Sequence, residues 1–122
     1  ENDIAVATDR MEELIARIQS VSQAIDPDIE NTGVAHLGDG NLHYVGWPSR
    51  DDPALCRAVQ EAVEREVIAL GGSFSAEHGI GLSKLPAMAA HKDPAALAMM
   101  RAIKAAVDPN GIMNPGKLIP DQ

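Results

Sequence analysis

The run HLGDGNLH, residues 36–43, lies between two strand-like stretches, ENTGVAHL and NLHYVGW. Asp39-Gly40 at its centre is a strong hairpin signal, because a type I′ turn needs positive φ at both central positions. A hairpin centred there pairs positions that sum to 79, so His36 opposes His43, Leu37 opposes Leu42 and Val34 opposes Val45. Opposed residues of an antiparallel pair leave the same face, with Cβ atoms about 4.5–5.5 Å apart. Side-chain alternation then puts Thr32, Val34, His36, His43, Val45 and Trp47 on one face. Gly33, Ala35, Leu37, Leu42, Tyr44 and Gly46 share the other, which is small and apolar enough to pack under helices.

Helices are expected on both sides of the hairpin. Asp9, with Glu12 three residues on, has the form of a capping box. Met11, Leu14, Ile15, Ile18, Val21 and Ile25 follow at helical spacing, and Asp26-Pro27 stops that helix after about residue 24. Asp51 or Asp52 caps a second helix with Pro53 at its first position, an apolar stripe of Leu55, Val59, Val63, Val67 and Leu70, and Gly71-Gly72 at its end. A short strand, SFSA, comes next, and residues 3–7 read as another. Residues 83–91 suggest a helical turn, Asp93-Pro94 opens a helix through about Val107, and DPNGIMNPGKLIP is a turn-rich tail. The fold class is therefore α+β: a ferredoxin-like half, αββαβ, over residues 1–82, then a helix and tail over residues 83–122.

Two imidazoles at cross-strand distance can chelate a divalent cation. Glu77, at the end of the SFSA strand, is the best third ligand, and His78 beside it is left to exchange protons. Spacing alone leaves a plainer reading open, in which the histidine pair is polar surface and Glu77-His78 is loop. His91 reads as a surface residue and Cys56 as a small helix residue. Gly79-Ile80-Gly81 lacks the strand–turn–helix setting of a dinucleotide site.

Charge narrows the partners. With 18 acidic residues against 10 basic ones the chain carries a formal charge of −8, and its only aromatics are Tyr44, Trp47 and Phe74. Nucleic acid and anionic membranes fit that surface poorly. The single cysteine allows no internal disulfide, and the acidic N-terminus has no signal-peptide pattern, so a cytoplasmic location is expected.

Three segments in order, HLGDGNLH, GGSFSAEHGIGLSK and IKAAVDPNGIMNPGKL, resemble the C-terminal end of FAD-linked 2-hydroxy-acid dehydrogenases of the vanillyl-alcohol-oxidase type. That family includes D-lactate dehydrogenases, the glycolate oxidase FAD subunit and D-2-hydroxyglutarate dehydrogenase. DIAVATDRMEELIARI is similar to the segment before the hairpin, so the likeness covers nearly the whole chain. The resemblance implies a substrate-binding cap that ends in a helix and tail returning to an FAD-binding domain outside this chain. It implies a divalent metal, Zn or Mn, on His36, His43 and Glu77, with His78 as the base, Asn114 of the NPGK tail near the flavin and a small 2-hydroxy acid as substrate.

Many members of the family carry Asn where this chain has Val45, which implies a more apolar substrate side chain than that of 2-hydroxyglutarate. Alone, the chain is expected to be inactive, to hold no flavin and to expose apolar surface through which it could self-associate. Two other readings compete. One is a stand-alone ferredoxin-like module that binds a metal or metabolite for regulation. The other is a non-haem iron oxygenase, for which the chain has too few strands.

Overall fold

A computed structural model describes residues 1–120. It divides into two compact units, Glu1–His78 and the residues from Gly79 onward. The first contains β1 (Asn2–Ala5), α1 (Met11–Ile25), β2 (Glu30–His36), β3 (Asn41–Trp47) and α2 (Pro53–Ala69). The second contains α3 (Gly81–His91) and α4 (Pro94–Val107). The α+β class is as expected. Among the described residues no helix is long and apolar enough to cross a membrane.

In the first unit the strands form an antiparallel sheet in the order β1-β3-β2. One face is covered by α1 and α2. Met11, Leu14 and Ile18 of α1 and Val59, Val63 and Val67 of α2 meet Ile4, Leu42 and Tyr44 of the sheet in one core. The apolar residues of each helix recur every three or four positions, so each helix buries a single stripe. The Tyr44 hydroxyl reaches Ser22 Oγ at 3.3 Å, which satisfies polar atoms inside this layer.

The helix ends have local causes. Asp52 caps α2, its carboxylate accepting from Ala54 N at 2.9 Å, with Pro53 at the first position. At the other end Gly71, at φ 73°, allows Gly72 N to donate to Val67 O and Gly71 N to Ile68 O, both at 2.9 Å, a Schellman pair. Asp26 ends α1, and its carboxylate accepts from Ser49 N at 2.7 Å and Ser49 Oγ at 2.8 Å. The expected capping box does not form. Thr8–Arg10 make a short 3-10 turn, and Arg10 rather than Asp9 occupies the N-cap of α1.

The SFSA segment is not a strand. Ser73 makes one antiparallel bridge to Ala5, with N–H···O bonds of 2.9 and 2.7 Å. The Ser73 hydroxyl then donates to Ser75 O at 2.8 Å and bends the chain out of the ladder. This segment still runs beside β1, where the fourth strand of a split βαβ sheet belongs. In the second unit, residues 83–91 prove to be part of an 11-residue helix that begins at Gly81 and includes Pro86. Asp93 caps α4 through Ala95 N and Ala96 N, as the Asp-Pro pair predicts.

Candidate functional site

The hairpin register differs from the sequence expectation. The observed pairs sum to 77, not 79: His36 faces Asn41, Val34 faces His43 and Thr32 faces Val45. The cause is the turn. Leu37-Gly38-Asp39-Gly40 form a four-residue loop in which Asp39 N and Gly40 N both approach His36 O, at 3.2 and 3.1 Å. Gly40 has positive φ, but Asp39 does not, so the turn is not type I′. A slip of two residues preserves side-chain parity, whereas a slip of one would have inverted it. The face assignment therefore survives. His36 and His43 are diagonal rather than directly opposed, yet their ring centroids lie 5.6 Å apart.

Asp3 of β1 pairs with His43, which places it on the same face, away from the helices. The chain leaving Ser73 folds along this strand. Ala76 N donates to Asp3 O at 3.2 Å, and Glu77 N and His78 N donate to Asp3 Oδ2 at 2.9 and 2.8 Å. These bonds bring Glu77 and His78 to the histidines. His36, His43 and Glu77 each offer one ligand atom, and the three atoms lie within 4.8 Å of one another. His43 Nε2 is 3.6 Å from Glu77 Oε1, and the His43 and His78 rings stack at 5.3 Å with 29° between their planes. A second set, Glu1, His43 and His78, meets the same distance condition. Two imidazoles and one carboxylate suit a borderline divalent cation with coordination positions left open.

Two residues of this site escaped the sequence reading. Asn41, 4% exposed, donates through Nδ2 to Glu77 Oε1 and anchors the carboxylate. Asp3 is 1% exposed and lies under both imidazoles, with Oδ1 4.0 Å from His43 Nδ1 and Oδ2 3.9 Å from His78 Nδ1. Both carried a faint signal, since each is a polar residue next to a core residue, Ile4 or Leu42, in a short apolar run. Val45 lies on the site face as expected, but its cross-strand partner is Thr32 instead of Val34.

Asn114 belongs to the second unit. It is the one non-glycine residue at positive φ, 45°, among those described, and it lines a cavity of about 420 Å³ with Arg101, Lys104 and Asp108. Asp108 organises the tail around it. Its carboxylate pairs with Lys104 Nζ and accepts from Ile112 N and Met113 N, both at 3.0 Å. These partners, Lys104 first, hold the Asp108 carboxyl below the ordinary aspartate range.

Comparison with known proteins agrees with this architecture. A family profile described as FAD linked oxidases, C-terminal domain, matches residues 1–118. D-2-hydroxyglutarate dehydrogenase of Stutzerimonas stutzeri (strain A1501) is 38% identical over 122 residues, covering 96% of this chain and 26% of the relative. The mitochondrial D-2-hydroxyglutarate dehydrogenase of Bos taurus is 35% identical over 119 residues, 97% of this chain and 21% of the relative. Glycolate oxidase subunit GlcD of Escherichia coli (strain K12) is 37% identical over 106 residues, 84% of this chain and 21% of the relative. The chain thus spans between a fifth and about a quarter of the length of these curated relatives. With its sheet and described helices all inside the matched span, the chain belongs to the C-terminal domain family of FAD linked oxidases.

Proposed function

We propose that this chain is the substrate-side part of an FAD-dependent enzyme that oxidises a D-2-hydroxy acid to a 2-oxo acid. In this reading a divalent cation, Zn or Mn, sits on His36, His43 and Glu77. The observation that carries it is the convergence of those three donors within 4.8 Å on the sheet face not covered by α1 and α2. The donors fit such an ion by chemistry, and Asn41 Oδ1, buried beside Glu77, has no hydrogen-bond partner among the described residues. When bound, the cation supplies Lewis acidity to a substrate hydroxyl and the flavin supplies the hydride acceptor.

The chain's own residues do the rest. Asn41 holds the Glu77 carboxylate in place. His78, about half exposed, takes the hydroxyl proton through Nε2, since its Nδ1 faces Asp3. Val45, with the exposed Val34 and Trp47, gives the same face an apolar strip, which supports a substrate whose side chain is more apolar than that of 2-hydroxyglutarate. Asn114 contributes on the flavin side. The FAD-binding domain of the longer protein completes the site, in line with the share of each relative that the chain spans.

Zn(II) or Mn(II) retention by the purified chain tests the site directly. Wild type should bind one equivalent, and His36→Ala and Glu77→Ala should each lose it. Equal retention in all three would refute the assignment. In the full-length protein His78→Ala should lower turnover by about 10²–10⁴-fold with cation content unchanged. Asn114→Ala should reduce flavin content.

A further inference from the structure

We propose that Asp3 is a positioning residue whose carboxylate wraps the chain after Ser75, so that two side chains adjacent in sequence, Glu77 and His78, serve one site. In a strand successive side chains leave opposite faces, so sequence neighbours cannot both meet the same cluster. Here both do. Glu77 Oε1 lies 3.6 Å from His43 Nε2, and the His78 ring stacks on that of His43 at 5.3 Å. The backbone donors supply the reason. Ala76 N donates to Asp3 O at 3.2 Å, while Glu77 N and His78 N both donate to Asp3 Oδ2, at 2.9 and 2.8 Å. A ladder takes N–H groups from alternate residues, whereas three in succession converge on Asp3. The chain therefore curls around this residue instead of continuing as a strand beside β1.

Burial explains why a carboxylate does this. Asp3 is 1% exposed, and a charge that deep is tolerated only where donors meet it. Backbone N–H bonds to an ionised oxygen at these lengths are among the stronger hydrogen bonds a protein makes. The main chain of Asp3 is meanwhile fixed in β1, paired with His43. The curl is thus fastened to the strand beside a histidine of the site. One side chain sets how far both Glu77 and His78 stand from His43. What the curl is for rests on the metal-and-base reading above, but its existence is tested without a cation.

Hydrogen exchange of the Glu77 and His78 amides in the cation-free chain is the first test. In wild type both should exchange at least about 10-fold more slowly than unstructured amides. Asp3→Asn keeps an oxygen that can accept both N–H groups and should preserve that protection. Asp3→Ala keeps none and should lose it, while the amides of Leu14 and Ile18 in α1 stay protected and report an intact fold. Unprotected Glu77 and His78 amides in folded wild type would overturn the proposal without any variant, so it stays decidable if Asp3→Ala fails to fold. Protection that survives in a folded Asp3→Ala chain would overturn it too. Zn(II) calorimetry is the second test. Affinity in Asp3→Ala should fall by about 10–100-fold, and Asp3→Asn should recover most of that loss. Equal weakening in both variants would assign the effect to the lost charge and overturn the positioning role. Protected amides with rescue of exchange by Asn, in a chain that binds no Zn(II), would support the curl and refute the metal site. Zn(II) binding with unprotected amides would support the metal site and refute the curl.

Discussion

Asn41 Nδ2 donates to Glu77 Oε1, tying the first residue of β3 to a loop 36 positions later in sequence. The bond crosses from the hairpin to the segment beside β1, and it sits where His36, the cross-strand partner of Asn41, also points. Asn41→Ala should weaken Zn(II) binding by about 10–100-fold while leaving the chain folded, as for other residues that orient a ligand from behind. Calorimetry with a circular-dichroism control checks this, and unchanged affinity would remove Asn41 from the site.

The hairpin tip is held just as tightly. Val6 N donates to Gly40 O at 2.9 Å, and a Cβ on Gly40 would lie 1.9 Å from Val6 O, backbone against backbone. Gly40 also has φ 73°, which penalises any side chain. Gly40→Ala should cost at least about 1–3 kcal/mol from the strained backbone alone. Gly38→Ala, with open space around its Cβ position, is the matched control and should be far milder. Denaturant midpoints of the two variants decide the point.

Leu14 is fully buried between α1 and the sheet. Truncation to Ala removes apolar contacts that the closely packed layer cannot fully restore. Leu14→Ala should therefore destabilise the first unit by about 2–5 kcal/mol, measurable by urea unfolding. A loss below 1 kcal/mol would mean that α1 is not docked as described.

Acid should loosen the tail through Asp108. Its folded-state pKa is depressed, by Lys104 first and then by the N–H groups of Met113 and Ile112. A group depressed on folding contributes stability that is complete above its unfolded pKa, about 4, and is lost as pH falls through the lower folded value. The amide signals of Ile112 and Met113 should stay constant from pH 7 to about 4 and shift together below it. Asp108→Asn should abolish that acid transition, and a transition that persists in the variant would assign it to another group.

Periodicity and backbone punctuation were enough to establish α1, α2 and α4, the presence of a hairpin and the sheet face that carries the histidines, but not the length of α3 or the turn type. Apolar spacing of three or four residues needs no partner to be read, and Asp52-Pro53, Asp93-Pro94 and Gly71-Gly72 mark boundaries by backbone chemistry alone. Strand parity was legible for the same reason, and it survived a wrong turn type because the slip was two residues. What sequence could not supply was anything decided between distant segments. The four-residue loop follows from Gly40 meeting Val6, and SFSA fails as a strand because a serine hydroxyl competes with the ladder. Asp3 and Asn41 join the site only because β1 lies beside β3 and the chain after α2 returns along its edge. Local spacing determined which groups could do chemistry, and only the antiparallel pairing of β1 with β3 decided which buried carboxylate would stand beneath them.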